Sequence, residues 1–355
     1  MSQTWADISD LAFEAALAAY IVALVCYAIE LASLRAMNPA EALASGRGAG
    51  TSTLVRAGGA GPVEPSAIGR VEKPEPAPWG VRFGRAAVVV TVVGAAANVL
   101  SIVARGLAVG RLPLGNMYEF VSMICAAATI TWLIVLARTG ARTLGTFVLT
   151  PVVILAVVAG TKLYVPAAPV VPALNSYWKW IHVTTVAISS SVLMVSGAAS
   201  IGYLVRGRLE RSGRLPSKDP DRVGAGVDAV DAVVAGGTAP VRSRSLLSVL
   251  PSMVTLDRIA YRTAIVGFPL FTFAVIAGAM WAEVAWGRYW GWDPKETCSF
   301  VTWVCYAAYL HARSTAGWRG RRAAWICVLG FASMIFNLFF INMVVSGLHS
   351  YAGLN

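Results

Sequence analysis

The chain has 355 residues, of which 57% are hydrophobic and 13% charged, with a mean hydropathy of +0.65 and a formal net charge of +11. So apolar a composition cannot clothe a soluble domain in polar surface, which places the chain in a bilayer as an all-α polytopic membrane protein. The positive charge is read as loops beside anionic lipid, and a nucleic-acid partner is excluded.

Crossing about 30 Å of hydrocarbon takes roughly 20 helical residues. Apolar runs of that kind recur eight times, near 11–34, 86–108, 117–137, 144–160, 181–205, 263–284, 297–313 and 323–346. The first is expected to be a span rather than a signal peptide, because Asp7 and Asp10 precede it where a signal would carry basic residues. Residues 36–85, rich in Gly, Pro and Ala, read as a disordered linker, so that 1–85 forms an N-terminal span plus linker and 86–355 the main membrane domain. Residues 207–245 have the same character. Residues 246–262 mix apolar and basic side chains as a helix lying at the inner interface does, which makes 207–262 a cytoplasmic insert. No internal repeat supports an inverted-repeat transporter.

Basic loops resist translocation. With both termini extracytoplasmic, only six of the 29 Lys and Arg residues fall outside: Arg105, Arg111, Lys162, Lys179, Arg288 and Lys295. The flipped topology reverses that bias and is rejected. The five cysteines, Cys26, Cys125, Cys298, Cys305 and Cys327, lie in or at the ends of spans without a CxxC pair, so packing is favoured over a thiol relay.

The polar chemistry gathers in the outer loops. Trp281 to Glu296 reads WAEVAWGRYWGWDPKE. An interfacial aromatic belt accounts for tryptophans at this depth, but not for Gly287, Gly291 and Pro294, nor for Asp293, Lys295 and Glu296 interleaved with the rings. A flat aromatic ligand accounts for more: glycines admit it, indoles stack on it, and Lys295 or Arg288 pairs with its carboxylates.

The chain has three histidines, His182, His311 and His349. His182 opens the fifth span and His349 follows the eighth, so both belong outside, level with the tryptophans. Two neutral imidazoles flanking a stacking platform suit six-coordinate haem iron, one on each face of the porphyrin. An ordinary hydrogen-bonding histidine at a helix end is the plainer reading of either alone. His311 lies about 14 residues into the seventh span, some 21 Å below its outer end at roughly 1.5 Å per residue, and an ionisable group at that depth is a functional candidate. No fourth histidine opposes it, which implies a partner subunit and a path in which haem enters near His311 and finishes between His182 and His349.

These residues are similar to the WWD haem-handling proteins, and among them resemble the CcsA/ResC-type subunit of the system II cytochrome c synthase. The motifs are WGRYWGWDPKE at 286–296, PLGNMYEF at 113–120, PALNSYWKWIHV at 172–183, LDRIAYR at 256–262, YLHAR around His311 and GLHSY around His349. The resemblance covers roughly residues 86–355. It implies that His182 and His349 are the outer axial ligands of haem iron and the residues that carry the reaction, and that His311 is a membrane-embedded ligand. It also implies a haem platform of Trp286, Gly287, Tyr289, Trp290, Trp292, Asp293, Pro294, Lys295 and Glu296. Cys298 stands where the family usually carries another tryptophan.

The implied cofactor is haem b, held as substrate. The implied partners are a CcsB/ResB-type membrane protein, an apocytochrome c with its CxxCH peptide and a thiol reductant protein, in a bacterial plasma membrane with the active site on the extracytoplasmic side. Asp293 and Glu296 are candidates for acid–base work or for anchoring the loop through Arg288 and Lys295. Asn116 belongs to the NMYEF segment, where Glu119 either orients a histidine or caps the helix. The competing functions are system I haem delivery, a solute transporter for another planar substrate, and a cytochrome b, which normally needs paired histidines within its spans.

Overall fold

The computed structural model describes residues 3–33, 78–168, 176–211, 250–315, 317–341 and 345. Among them the regular structure is entirely helical: α1 Gln3–Ser33, α2 Pro78–Val109, α3 Met117–Thr139, α4 Gly145–Lys162, α5 Tyr177–Arg211, α6 Met253–Trp286, α7 Pro294–Ser314 and α8 Arg321–Phe336, the last running into a π-type turn, Asn337–Ile341. Each of the eight expected spans corresponds to one helix. Seven of these segments are long and apolar enough to cross a membrane; α7 has the length, at 21 residues, but carries Lys295, Glu296, His311 and Arg313 at its ends.

Two boundaries differ from the sequence reading. The linker expected over 36–85 ends earlier, because α2 starts at Pro78, whose fixed φ suits a first helical position. Residues 253–262 do not form a separate interfacial helix or belong to an insert; they are the first turns of α6, which begins where Ser252 accepts a hydrogen bond from Thr255 N at 3.1 Å. The following basic residues carry no helix breaker, and Pro269 is accommodated within the span. Helix α5 likewise runs to Arg211, past the expected start of the insert. The remainder of the linker and of the insert, and the tail from Gly347 with His349, lie outside the described residues.

Small residues set the packing. Along α2, Gly80, Gly84 and Gly94 leave the space that Ser33, Glu30 and Tyr20 of α1 occupy, so the two helices run antiparallel in close contact. Ser9 donates to Ser101 O (3.0 Å) at one end of that seam, and Asn98 donates to Tyr20 Oη (3.3 Å) near its middle. Helix α5 is the centre of the bundle, buried along Ser189–Ser191 and Ser196–Ser200. Gly197 there admits Phe331 of α8, and Gly267 of α6 admits Leu193.

The alternating course of the helices divides the polar groups between two ends. One end gathers the start of α1, the end of α2, the start of α3, the end of α4, the start of α5 and the α6–α7 loop; the six basic residues assigned outside by the loop bias all fall there. The other end holds the Glu30–Arg142 pair (3.0 Å), the Arg206–Glu210 pair (2.8 Å) and the Asp257–Arg313 pair (2.9 Å).

Candidate functional site

At the first end, α3, α4, α5, α6, α7 and α8 line a cavity of about 110 Å³. Its α5 wall is the stripe His182, Val186, Ser190 and Met194, each four residues apart, as one helix face allows. Phe120 and Ile124 of α3, Trp281 and Trp286 of α6, Tyr289, Trp290, Lys295 and Glu296 of the loop and α7, and Asn337 of the π-type turn add to it. Such single π turns recur at functional sites in helical proteins.

His182 is held in one orientation. Its Nδ1 lies 2.7 Å from the Ala274 carbonyl oxygen, which can only accept, so Nδ1 carries the proton and the lone pair resides on Nε2. The approach requires Gly278, one turn beyond Ala274 on α6: a Cβ there stands 2.7 Å from His182 Cε1 and 2.8 Å from Nδ1. Trp281, one turn further, lies nearly parallel to the imidazole (23°, centroids 6.2 Å apart) and in turn contacts Trp286 at 5.3 Å. Ala274, Gly278, Trp281 and Ala282 therefore form one face of α6, shaped to seat a histidine from α5.

The aromatic loop is fixed by backbone chemistry. Gly287, at φ +69°, ends α6 by donating to Glu283 O (2.8 Å). Asp293 caps α7 by accepting from Lys295 N (3.2 Å), and Glu296 reaches back to accept from Gly291 N (2.8 Å) and Asp293 N (3.1 Å). Asp293-Pro294-Lys295-Glu296 is thus a capping box with proline at the first helical position. The two carboxylates anchor the loop through backbone N–H groups. The space above Gly291 is taken by the Arg288 guanidinium, so this glycine makes room for an arginine.

The expected platform is divided. Trp286, Tyr289, Trp290, Lys295 and Glu296 line the cavity. Trp292 does not; at φ +56° and 65% exposed, it turns to a separate recess of about 340 Å³ with Ile276, Phe300 and Trp303, and Val275 and Trp290 line both spaces. A bulky residue in the left-handed region costs roughly 1–3 kcal/mol.

Asn116 and Glu119 also stand apart from the cavity lining. The Asn116 side chain caps α3 by accepting from Glu119 N (2.9 Å). The Glu119 carboxylate accepts from Arg105 Nε (3.2 Å), Arg111 (2.9 Å) and Gly115 N (2.6 Å). Arg105, 2% exposed, also contacts Asp10 Oδ1 (3.4 Å), donates to Val165 O and lies over the Tyr118 ring at 4.9 Å. The Tyr164 hydroxyl donates to Asp10 Oδ2 (2.5 Å), a bond that holds its pKa above the usual tyrosine value. This cluster fastens α1, α2, α3 and the loop after α4 to one another.

His311 lies at the other end, exposed in the last turn of α7, where its carbonyl accepts from Thr315 N (3.1 Å) and Ser314 Oγ (2.7 Å). Cys298 packs between α7 and α8, with its Sγ 3.6 Å from Ser333 O. All five cysteines are free.

With this geometry in hand, residues 114–349 match a family model described as cytochrome C assembly protein. The cytochrome c biogenesis protein CcsA of Synechococcus elongatus is 38% identical over 267 residues, spanning 70% of this chain and 81% of its own length. That of Gloeobacter violaceus is 34% identical over 280 residues, 72% of this chain and 82% of the relative. The chain belongs to the cytochrome c assembly family. A solved structure of the cytochrome c haem lyase CcmF superposes with a TM-score of 0.57 at 16% identity, covering 96% of this chain and 47% of that one, which establishes a shared fold; this chain spans about half its length. The family match begins within the loop before α3, so α1 and α2 precede the matched residues.

Sequence reasoning missed Gly278, the Ala274 carbonyl and the cavity-lining role of Phe120. A glycine among apolar residues carries no distinctive signal, whereas Trp281, at the edge of the aromatic segment, was legible as part of it.

Proposed function

We propose that this member of the cytochrome c assembly family binds haem in the cavity at the first end and mediates its covalent attachment to apocytochrome c on the extracytoplasmic side. The observation that carries the reading is His182: an imidazole oriented by its Nδ1 contact to Ala274 O and set in an indole-lined cavity, with Nε2 as the nitrogen that would meet a metal. The residues fit the group, with an imidazole nitrogen donor of the kind iron takes, flat aromatic walls and Lys295 for a carboxylate.

In this reading His349 supplies the second outer ligand. His182 holds the iron, Trp281 fixes the imidazole plane, and Trp286, Tyr289 and Trp290 fix the rotation of the porphyrin in a loop made rigid by the Asp293–Glu296 box. The histidine of the CxxCH peptide displaces one ligand. Each peptide thiol then adds across a vinyl group, sulfur to one carbon and the proton to the other, so the bond formation needs no net oxidant, and positioning is most of the work. Reduced iron and a thiol reductant protein keep both reactants competent. His311 takes haem at the inner end with a ligand from a CcsB/ResB-type partner. Identities of 34–38% to CcsA proteins support system II over system I delivery.

Purified protein loaded with haem tests this. The His182→Ala and His349→Ala variants should each lose the bis-imidazole absorbance signature; an unchanged spectrum in the double variant removes the ligand assignment. If His311→Ala leaves loading of the outer site intact when haem comes only from the cytoplasmic side, the path through the inner end is wrong.

A further inference from the structure

The ion cluster beside the cavity does not balance. Arg105, Arg111 and Lys179 face Asp10 and Glu119, three cations against two carboxylates. Both carboxylates are engaged: Asp10 by Arg105 and Tyr164, Glu119 by Arg105, Arg111 and Gly115 N. The surplus charge falls to Lys179. It is only 3% exposed, lies within electrostatic reach of Arg111 and Glu119, and makes no hydrogen bond or ion pair among the described residues; its ammonium rests on the Trp180 ring, 3.9 Å from the centroid. A buried ammonium without an anion is unfavourable, and persists where a ligand supplies the missing charge.

Its position says where the ligand is. Lys179 lies three residues before His182, one turn outward along the α5 stripe of His182, Val186, Ser190 and Met194 that walls the cavity. On α3, the cavity-lining Phe120 directly follows Glu119. Lys179 is not itself a lining residue; it sits one helical turn outward of the lining His182, on a different helix from the lining Lys295.

We infer that Lys179 is a binding residue for a carboxylate of the planar ligand seated on His182. Under the function proposed above, that carboxylate is a haem propionate. Lys179 sets the tilt of the porphyrin edge facing the outside, while His182 holds its centre.

Two porphyrins and three chains test this in detergent. The wild-type full-length chain should bind haem about a hundredfold more tightly than haem dimethyl ester, in which both propionates are esterified, as two charge-assisted contacts, to Lys179 and Lys295, imply. In Lys179→Gln that preference should shrink by about tenfold, through weaker haem binding and unchanged ester binding. Lys179→Arg should retain most of it. A merely structural role for Lys179 weakens both porphyrins equally and leaves the preference as in wild type, which overturns the inference while leaving the His182 assignment standing. Failure of the wild-type chain to bind either porphyrin overturns both the inference and the function on which it rests.

Discussion

The two ends of the bundle present their histidines in opposite ways. His182 is bound to a backbone carbonyl, flanked by an indole and set in a cavity lined by six helices. His311 stands exposed on the last turn of α7, with no such enclosure among the described residues. A metal site gains affinity when its ligand is oriented in advance, so under the proposed function the first end would be a site the chain builds for itself, and the second a half-site for a neighbouring subunit to complete. The surrounding charges follow the same division. Around Arg105 they form a buried network joining α1, α2 and α3; around Arg313 there is one partly exposed pair, with the guanidinium also 4.8 Å from the Tyr261 ring.

The sharpest way to break this contrast is to remove the centre of the buried network. Arg105→Ala strands Asp10 and part of the Glu119 charge, and is expected to lower stability by about 3 kcal/mol, read as denaturant-induced unfolding in detergent; a loss under 1 kcal/mol means the two ends are equally loose. Next comes Gly278→Val, whose branched side chain occupies the space of the His182 ring. Haem affinity at the outer site should fall at least tenfold with the helical circular dichroism unchanged, and retained affinity shows that His182 needs no seat on α6.

Removing one arm of the capping box has a smaller effect. Glu296→Ala leaves the N–H groups of Gly291 and Asp293 without their acceptor, and should cost about 1 kcal/mol and broaden the haem absorbance bands as the loop loosens. Smallest is Asp257→Asn at the second end, expected to change stability by less than about 1 kcal/mol because the pair is partly exposed. A larger loss assigns the inner end a rigidity of its own.

Much of this contrast was legible in the sequence, for identifiable reasons. Eight apolar runs yield eight helices because a bilayer admits little else, and errors arose only where helices continue into polar surroundings, at Pro78, Arg211 and Met253. The rarity of histidine drew attention to His182, and its spacing from the aromatic segment placed both at one end. The capping role of Asp293 and Glu296 was also written in the sequence, since Asp-Pro-Lys-Glu before an apolar run is a helix-start signal, but the reading weighed only acid–base work against anchoring through Arg288 and Lys295. The division between Trp290 and Trp292 was not legible, because it depends on one positive φ. Nor was Gly278, whose meaning lies wholly in a contact with a residue 96 positions earlier.

The central claim is that the His182 ring nitrogen is what the iron of an outer-site haem meets. Imidazole titrated into haem-loaded His182→Gly protein tests it most directly, because the free base can enter the space the side chain vacates. The account expects the variant to lose the low-spin bis-nitrogen absorbance spectrum and added imidazole to restore it at saturable concentrations. A variant that keeps the wild-type spectrum before any imidazole is added contradicts it.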